Sequence, residues 1–372
     1  MYHPTQTQTF TSYFQQMQPD VPSMAFQQVN LNVNAKEYES PKHQRKQKNG
    51  MSSTMHNNVL CSPIALNKCS NVNNNSNFTK ASAKIIEVYE DNFIKEIKNL
   101  SELIQAYPFI GMDTEFPGIV YPCPSPCYDF YYQFIKANID KLKLIQIGIT
   151  LFNNKGEYPQ YASTWQFNIK FDQDKDEHSV DSLNMLKLAG IDFDKLSTRG
   201  IPYLTFAEYL ITSGLVLNEH TTWISFNGLS DFAYLLNCLS NLPLPLTEEE
   251  FEEDIALYFP NVFDLKVLLG HNSMFKGGLN KVASELHIER TGETHQAGSD
   301  SMLTGNVFFE LIKKGIINKE RLKYCHNILF GIGEGADDNE TIQYTQFANE
   351  NYMRMIVMSG TLRQGSYVYG GY

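Results

Sequence analysis

The sequence predicts an α/β fold in which a mixed β-sheet is covered by helices. Apolar runs of strand length first lie close together, between residues 109 and 171. Later strand-like runs alternate with segments whose apolar residues recur at helical spacing. This region extends from about residue 81 to about residue 335 of the 372-residue chain, with polar sequence on both sides.

The individual elements follow in order along this region. Apolar residues at roughly helical spacing predict a helix within residues 83–107, and the mostly apolar run 109–116 predicts the first strand. Runs rich in β-branched and aromatic residues predict further strands at residues 143–152, 164–171, 221–228 and 262–269. Further helices are predicted at residues 129–142, 180–190, 206–215, 230–239, 248–259, 278–288, 299–314 and 319–332.

The two ends of the chain differ in composition from the region between them. Residues 1–80 are rich in Gln, Asn and Ser and show no sustained apolar period, which predicts a disordered region. Residues 336–372 are polar and then rich in Gly and Tyr, which predicts a flexible tail. The domain proper is therefore expected within residues 81–335.

Composition excludes several classes of protein. No apolar run is long enough to span a bilayer, and the N-terminus lacks the basic and apolar parts of a signal peptide. The six cysteines are scattered, as expected for reduced thiols inside the cell. The net charge of −11 argues against a protein that holds nucleic acid by a general basic surface. An enzyme that binds RNA through cations in a short groove tolerates this charge.

A pair of acids lies near the end of the first predicted strand. Side chains alternate along a strand, so Asp113 and Glu115 project from the same side. Two neighbouring carboxylates repel each other unless a cation lies between them, and Mg²⁺ prefers such oxygen ligands. Taken alone, the pair is more often two solvated acids on an exposed strand.

Two further acids strengthen the interpretation as a metal site. Asp231 lies at the start of the helix that follows the strand 221–228, and Asp300 begins the helix for which Ser299 is the expected cap. Each acid alone is more typical of ordinary helix capping. However, strand ends and helix starts of a mixed sheet can converge on one crevice. The four acids together therefore predict a shared metal site.

His295 lies five residues before Asp300, in the loop that leads into the same helix. A lone His is more often structural, but its pKa near neutrality suits a general base for water. With four acids, this His supplies the groups needed for two-metal hydrolysis of a phosphodiester, in which the ions lie about 4 Å apart.

These residues resemble a known family. Asp113, Glu115, Asp231, His295 and Asp300 are similar to the catalytic set of the DEDD exonucleases whose fourth Asp follows a His by five positions, a family with a ribonuclease-H-like sheet. Over roughly residues 85–335 the chain also resembles the Pop/Caf-type deadenylases of the Ccr–Not complex. The resemblance is carried, in the same order, by FIGMDTEFPGIV, KLIQIGIT, TWQFNIKF, LITSGLVL, TTWISF, FPNVFDLKVLL, KGGLNKVASELHIERTGETHQAGSDSMLTGNVFF and LFGIGEG.

The resemblance implies a role for each residue. Asp113, Glu115 and Asp300 would bind one divalent ion, and Asp113 with Asp231 would hold a second. Mg²⁺ is the expected ion, with Mn²⁺ as the alternative. His295 would orient or deprotonate the attacking water. The implied reaction is stepwise removal of 5′-AMP from the 3′ end of poly(A).

The resemblance also implies partners and a location. A Not-type scaffold and a Ccr-type nuclease would be partner subunits, and Tob/BTG-like adaptors would be further partners. The implied location is the cytoplasm, including RNA decay bodies, and the nucleus. Two alternatives remain open at this stage. They are a related nuclease that trims small noncoding RNA, and a scaffold subunit with little activity of its own.

Some positions depart from the family or have more than one explanation. Asn227 stands where the family usually has a His, and its amide can still bond near RNA. Phe116 follows the first acids and could stack on a base, although core packing is the commoner use of a Phe. Cys123 and Cys127 lack a second ligand pair for zinc, so a Pro-stiffened loop with free thiols is the preferred interpretation.

Overall fold

The computed structural model describes residues 84–121, 129–270 and 272–333. The regions 1–80 and 336–372, predicted to be disordered and flexible, lie outside the described residues. The loop that holds Cys123 and Cys127 lies outside them as well.

A six-stranded mixed sheet forms the centre of the domain. Its strands are β1 (Ile85–Val88), β2 (Phe109–Glu115), β3 (Gln146–Phe152), β4 (Thr164–Asn168), β5 (Thr222–Ser225) and β6 (Val262–Asp264). Their order across the sheet is β1-β4-β3-β2-β5-β6. The pairs β2–β3 and β3–β4 are antiparallel, whereas β1–β4, β2–β5 and β5–β6 are parallel. The predicted mixed α/β sheet is thus confirmed.

Helices cover both faces of this sheet. Trp223 and Ile224 are consecutive on β5 and belong to different apolar clusters, because alternate residues of a strand face opposite sides. In chain order the helices are α1 (Phe93–Leu103), α2 (Phe130–Ile139), α3 (Val180–Leu188), α4 (Phe193–Arg199), α5 (Tyr203–Thr212), α6 (Leu229–Ser240), α7 (Glu248–Tyr258), α8 (Leu265–Leu269), α9 (Leu279–Glu285), α10 (Ala297–Lys313) and α11 (Lys319–Tyr324).

Several local predictions were wrong or incomplete, and the helix predicted at residues 319–332 ends at Tyr324. The segment 83–107 contains the strand β1 as well as the predicted helix, because residues 85–88 pair in parallel with residues 164–167 of β4. The predicted strand 262–269 ends at Asp264, whose side chain accepts the N–H of Lys266 and begins α8. The helix α4 was not predicted, although Asp192 caps it through the N–H of Lys195.

The helix α10 lies directly against the sheet because glycines leave room for its backbone. A Cβ atom added at Gly148 of β3 would lie 1.9 Å from the carbonyl oxygen of Ala297. One added at Gly111 of β2 would lie 2.5 Å from the carbonyl oxygen of Ser301. Only a residue without a side chain permits this approach, which places the N-terminus of α10 over the middle strands.

Within the described ranges, no helix combines the length and apolar character that crossing a membrane would require.

Candidate metal centre and active site

Three acidic side chains from two elements converge on one point. Asp113 and Glu115 lie on β2, and Asp300 lies in the first turn of α10. One carboxylate oxygen from each lies within 4.8 Å of the other two. Glu115 and Asp300 are buried, and Asp113 is partly buried. Three carboxylates at this separation form the oxygen-rich donor set that divalent cations such as Mg²⁺ and Mn²⁺ bind.

The strand register explains how α10 brings Asp300 to this point. Asp113 lies directly opposite Gly148 in the antiparallel pair of β2 and β3. Opposite residues in such a pair share a face of the sheet. Gly148 admits the backbone of Ala297, so the first turn of α10 starts beside Asp113.

Asp231 joins the site from the first turn of α6. Its Oδ1 accepts hydrogen bonds from the Thr114 N–H at 2.9 Å and from the Thr114 hydroxyl at 2.5 Å. It lies outside the group of three acids whose oxygens meet within 4.8 Å, but its charge raises the pKa of both Asp113 and Glu115. Asp231 is therefore a neighbour of the cluster that is anchored to the strand carrying the other two acids.

Burial raises the pKa values of Glu115, Asp113 and Asp231, and neighbouring acids of the cluster raise those of Glu115 and Asp113 further. Burial, then the charges of Asp300 and Asp231, raise the pKa of Glu115 to about 8. Burial and three neighbouring acids raise the pKa of Asp113 well above its ordinary value. Burial raises the pKa of Asp231 to about 7, against the opposing hydrogen bonds from Thr114. A bound cation would relieve this repulsion, so the site fits a divalent metal.

His295 stands beside Asp300 at the edge of the cluster. Its backbone N–H donates to Asp300 Oδ2 at 2.9 Å, and its φ of 63° puts it in the left-handed region. Its side chain is exposed. The carboxylate of Asp300 thus holds the loop that carries the His295 imidazole, and the role of His295 as a general base stays a prediction.

Arg290 is a member of this site that sequence reasoning missed. Its Nη2 forms an ion pair with Asp300 Oδ1 at 2.7 Å, and its Nη1 donates to Ser299 Oγ at 2.8 Å. Arg290 also lowers the pKa of Asp113, against the larger effects of burial and the neighbouring acids. The signal that could have found it was a lone cation ten residues before Asp300.

The expected capping role of Ser299 is wrong, because α10 begins at Ala297, with Gln296 as its N-cap residue.

Asp264 is a second residue that sequence reasoning missed. It is fully buried and accepts the backbone N–H groups of Asn227, Gly228 and Lys266, each at 2.9 Å, and that of Phe330 at 3.2 Å. It therefore holds the loop that leads into α6 and Asp231. Its position at the end of a short apolar strand was the available signal.

The two residues predicted to contact RNA have different surroundings. Phe116 packs against the main apolar cluster and stacks on Tyr234, with ring centroids 5.0 Å apart. It is half-buried. Asn227 adopts a φ of 60°, and its Oδ1 is buried without a hydrogen-bond partner among the described residues. RNA contact stays a prediction for both.

A mixed sheet in this strand order, with carboxylates gathered at the start of α10, defines a ribonuclease-H-like fold with an acidic metal-binding site. The chain belongs to the CAF1 ribonuclease family, whose model matches residues 88–213 and 211–308. This confirms the family resemblance predicted from the sequence.

Curated relatives agree with this assignment. The chain is 41% identical over 256 residues to the poly(A) ribonuclease pop2 of Schizosaccharomyces pombe. This alignment covers 67% of this chain and 75% of the relative. It is also 41% identical over 239 residues to CCR4-NOT transcription complex subunit 7 of Caenorhabditis elegans, covering 62% of this chain and 77% of the relative.

Solved structures share the fold. S. pombe Pop2p, whose structure has Mg²⁺ and Mn²⁺ bound, superposes with a TM-score of 0.63 at 40% identity, covering 67% of this chain and 99% of that chain. A yeast structure of the NOT1 MIF4G domain co-crystallised with CAF1 matches with a TM-score of 0.58 at 28% identity, covering 66% of this chain and 96% of that chain.

Proposed function

We propose that this protein is a metal-dependent 3′-exoribonuclease that shortens the poly(A) tails of messenger RNA as a subunit of a Ccr–Not complex. The observation that carries the proposal is the convergence of Asp113, Glu115 and Asp300 within 4.8 Å in a chain of the CAF1 ribonuclease family. Its relatives are named as a poly(A) ribonuclease and as a CCR4-NOT subunit, which supports the substrate and the complex.

Two divalent ions, Mg²⁺ or Mn²⁺, are the proposed cofactors. Asp113, Glu115 and Asp300 would hold one ion, and Asp113 with Asp231 would hold the other. Bound there, the ions would lower the pKa of the attacking water and stabilise the charge that develops on the phosphate oxygens. The S. pombe relative was solved with both kinds of ion bound, which supports this choice.

The protein's own groups then position the reactants. His295 takes the proton of the attacking water through its exposed imidazole, while its backbone N–H stays bonded to Asp300. The water oxygen forms a bond to the phosphorus, and the bond from phosphorus to the 3′ oxygen of the penultimate nucleotide breaks. That 3′ oxygen gains a proton, and 5′-AMP is released. Phe116 and Asn227 are proposed contacts of the RNA end.

The proposed partners are a Not-type scaffold and a Ccr-type nuclease, with Tob/BTG-like adaptors as further partners. Support for the first comes from the yeast CAF1 that was co-crystallised with a NOT1 domain. The corresponding location is the cytoplasm, including RNA decay bodies, and the nucleus.

A degradation assay tests the activity. The full-length protein is incubated with a 5′-labelled RNA that ends in about twenty adenosines, longer than the few nucleotides a single-strand site holds. We expect a ladder that shortens from the 3′ end, stops with EDTA and slows at the first nucleotide that is not adenosine.

Two variants and a second substrate provide the controls. Asp113→Asn should abolish the ladder, whereas Asp181→Asn, at an exposed acid of α3, should leave it unchanged. Equal degradation of all homopolymers would contradict poly(A) selectivity and favour trimming of noncoding RNA. Absence of degradation with every divalent ion, together with retained NOT1 binding, would favour the scaffold alternative.

A further inference from the structure

A network of four side-chain amides and one carboxylate lies beneath the N-terminus of α10. We call it the Glu87 network. Its members are Glu87 on β1, Gln146 on β3, Gln166 and Asn168 on β4, and Gln296 just before α10. The three strand amides are at most 3% exposed. A buried amide costs free energy unless its donor and its acceptor are both paired, so the orientation of each amide matters.

Glu87 orients two amides of this network, together with the Val88 and Gln166 carbonyl oxygens, which also accept from Asn168 Nδ2 at 3.3 and 3.2 Å. A carboxylate only accepts hydrogen bonds, so every amide that reaches it has to present its NH₂ group. Gln166 Nε2 donates to Glu87 Oε1 at 2.7 Å, and Asn168 Nδ2 donates to Glu87 Oε2 at 2.8 Å. Glu87 is exposed on the edge strand β1, but partial burial of its carboxylate raises its pKa, while Asn168, Lys195 and Gln166 act against the rise. The carbonyl oxygen of Gln166 is thereby turned toward α10, and that of Asn168 toward Gln146.

These carbonyl oxygens connect Glu87 to the backbone of α10 through hydrogen bonds, one directly and one by way of Gln146. Gln166 Oε1 accepts the Gly298 N–H at 2.8 Å. Asn168 Oδ1 accepts from Gln146 Nε2 at 2.8 Å, and Gln146 Oε1 accepts the Ala297 N–H at 3.0 Å. The first N–H groups of a helix have no partner within it, and the side chain of Gln296 makes no capping bond. Amides of the sheet therefore cap α10.

The same network holds the loop before the helix. Gln296 Nε2 donates to the Ala189 carbonyl at 2.7 Å, and Gln296 Oε1 accepts from Gln166 Nε2 at 2.8 Å. His295 precedes Gln296 directly, and Asp300 follows it by four residues, about one helical turn. A shift of Gln296 would consequently move both active-site residues.

We infer that the Glu87 network positions the active site, because it fixes the start of α10 and with it Asp300 and His295. Its five members are positioning residues that act through α10 rather than by touching RNA or metal. The catalytic part of this inference rests on the proposed function.

Replacing the carboxylate by an amide of the same size tests the inference. In Glu87→Gln the new NH₂ group faces an amide that also donates. Either that hydrogen bond is lost or a neighbour turns. Because backbone carbonyls also hold Asn168, the neighbour expected to turn is Gln166, which places its NH₂ group against the Gly298 N–H. We expect about tenfold weaker Mg²⁺ binding to the EDTA-treated full-length protein in isothermal titration calorimetry, the size typical of changes to the groups that orient metal ligands. We also expect lower kcat on poly(A) with unchanged KM.

Thermal unfolding with and without Mg²⁺ separates positioning from mere stability. A ligand that binds only the folded state raises the unfolding temperature by an amount that depends on its affinity. Glu87→Gln should therefore reduce the rise caused by Mg²⁺. Glu90→Gln, at an exposed acid three residues further along, is the matched control and should behave like the wild type.

Gln146→Met gives a second, independent variant. Methionine keeps the side-chain length but removes the oxygen that accepts the Ala297 N–H, so we expect the same loss of Mg²⁺ affinity. If Glu87→Gln does not fold, this variant tests whether the Glu87 network positions the active site. Wild-type Mg²⁺ affinity and kcat in a folded variant would overturn the inference. Failure of the wild type to shorten RNA would refute the proposed function instead, and the Mg²⁺ titrations would still decide the role of the network.

Discussion

Individual residues of the metal site are held by neighbours from other elements. Thr114 holds Asp231 through two hydrogen bonds, and Arg290 and the His295 N–H each hold one oxygen of Asp300. These contacts keep like charges close together, although the acids repel one another. The site therefore has the preorganised but unfavourable charge arrangement that is typical of functional sites.

Removing one of these charges should have opposite effects on activity and on stability. In Asp113→Asn a ligand is lost, so kcat should fall by at least about a hundredfold, since even groups that only orient metal ligands contribute ten- to a hundredfold. The same change relieves repulsion and should raise the unfolding temperature in EDTA. Degradation assays and thermal unfolding measure the two effects. A less stable metal-free variant would contradict the repulsion argument.

Stability of the metal-free protein should depend on pH through Glu115. Its ordinary pKa is 4.5 and its pKa in the folded protein is about 8. Between these values the folded state holds a proton that the unfolded state lacks, so stability is highest at low pH and is lost as pH rises through about 8. In EDTA, we expect a lower unfolding temperature at pH 8.5 than at pH 6.

Glu115→Gln provides the control for this pH dependence. Because the glutamine side chain does not titrate, the unfolding temperature of this variant in EDTA should change less between pH 6 and pH 8.5. Mg²⁺ should have the opposite effect in the wild type, stabilising more at high pH, where its ligands are already deprotonated. An unfolding temperature in EDTA that rises from pH 6 to 8.5 would count against the raised pKa.

At the scale of elements, the position of α10 depends on the glycines beneath it. In Gly148→Val the new side chain collides with the Ala297 carbonyl and displaces the start of the helix. Overpacking of this kind costs about 1–3 kcal/mol. We expect this loss in denaturant unfolding, together with weaker Mg²⁺ binding, because Asp300 moves away from Asp113.

Gly278→Ala is the matched control for this substitution. A Cβ atom at Gly278 meets no atom within 4 Å, so stability and Mg²⁺ binding should stay close to wild type. Normal Mg²⁺ affinity in Gly148→Val would show that the site does not need the close approach of α10.

At the scale of the whole molecule, catalysis and assembly should be separable. The carboxylate cluster lies between the sheet and the start of α10, and Asp→Asn at Asp113 preserves the size of the side chain there. We expect Asp113→Asn to bind a NOT1 MIF4G domain with wild-type affinity in calorimetry while it fails to shorten poly(A). Loss of both properties together would indicate that the substitution disturbs the fold.

The net charge of −11 is a property of the whole molecule, and it argues against a general basic surface for binding RNA. A bound cation at the acidic cluster is the physical means by which such a protein can hold a phosphate.

Much of the fold and the site was predictable because it depends on local pattern. Apolar periodicity predicted the strands from β2 to β5 and most helices, and strand alternation placed Asp113 and Glu115 on one side. General geometry of mixed sheets led us to expect Asp300 near these two acids, and one carboxylate oxygen from each of the three lies within 4.8 Å of the others. The roles of Asp113, Glu115, Asp231, His295 and Asp300 in catalysis stay predictions.

The remaining features depend on contacts between segments that are distant in the sequence. The strand β1 forms because it pairs in parallel with β4. The residues that follow β1 have helical spacing, so the sequence pattern predicted only a helix there. Arg290, Asp264 and the Glu87 network act through contacts between residues that are far apart in sequence, and residue type alone does not reveal such contacts. The residue types already fix which chemistry is available at the site, because that depends on which side chains are present. The packing of distant segments fixes which groups hold those side chains in place, and residue types alone do not reveal it.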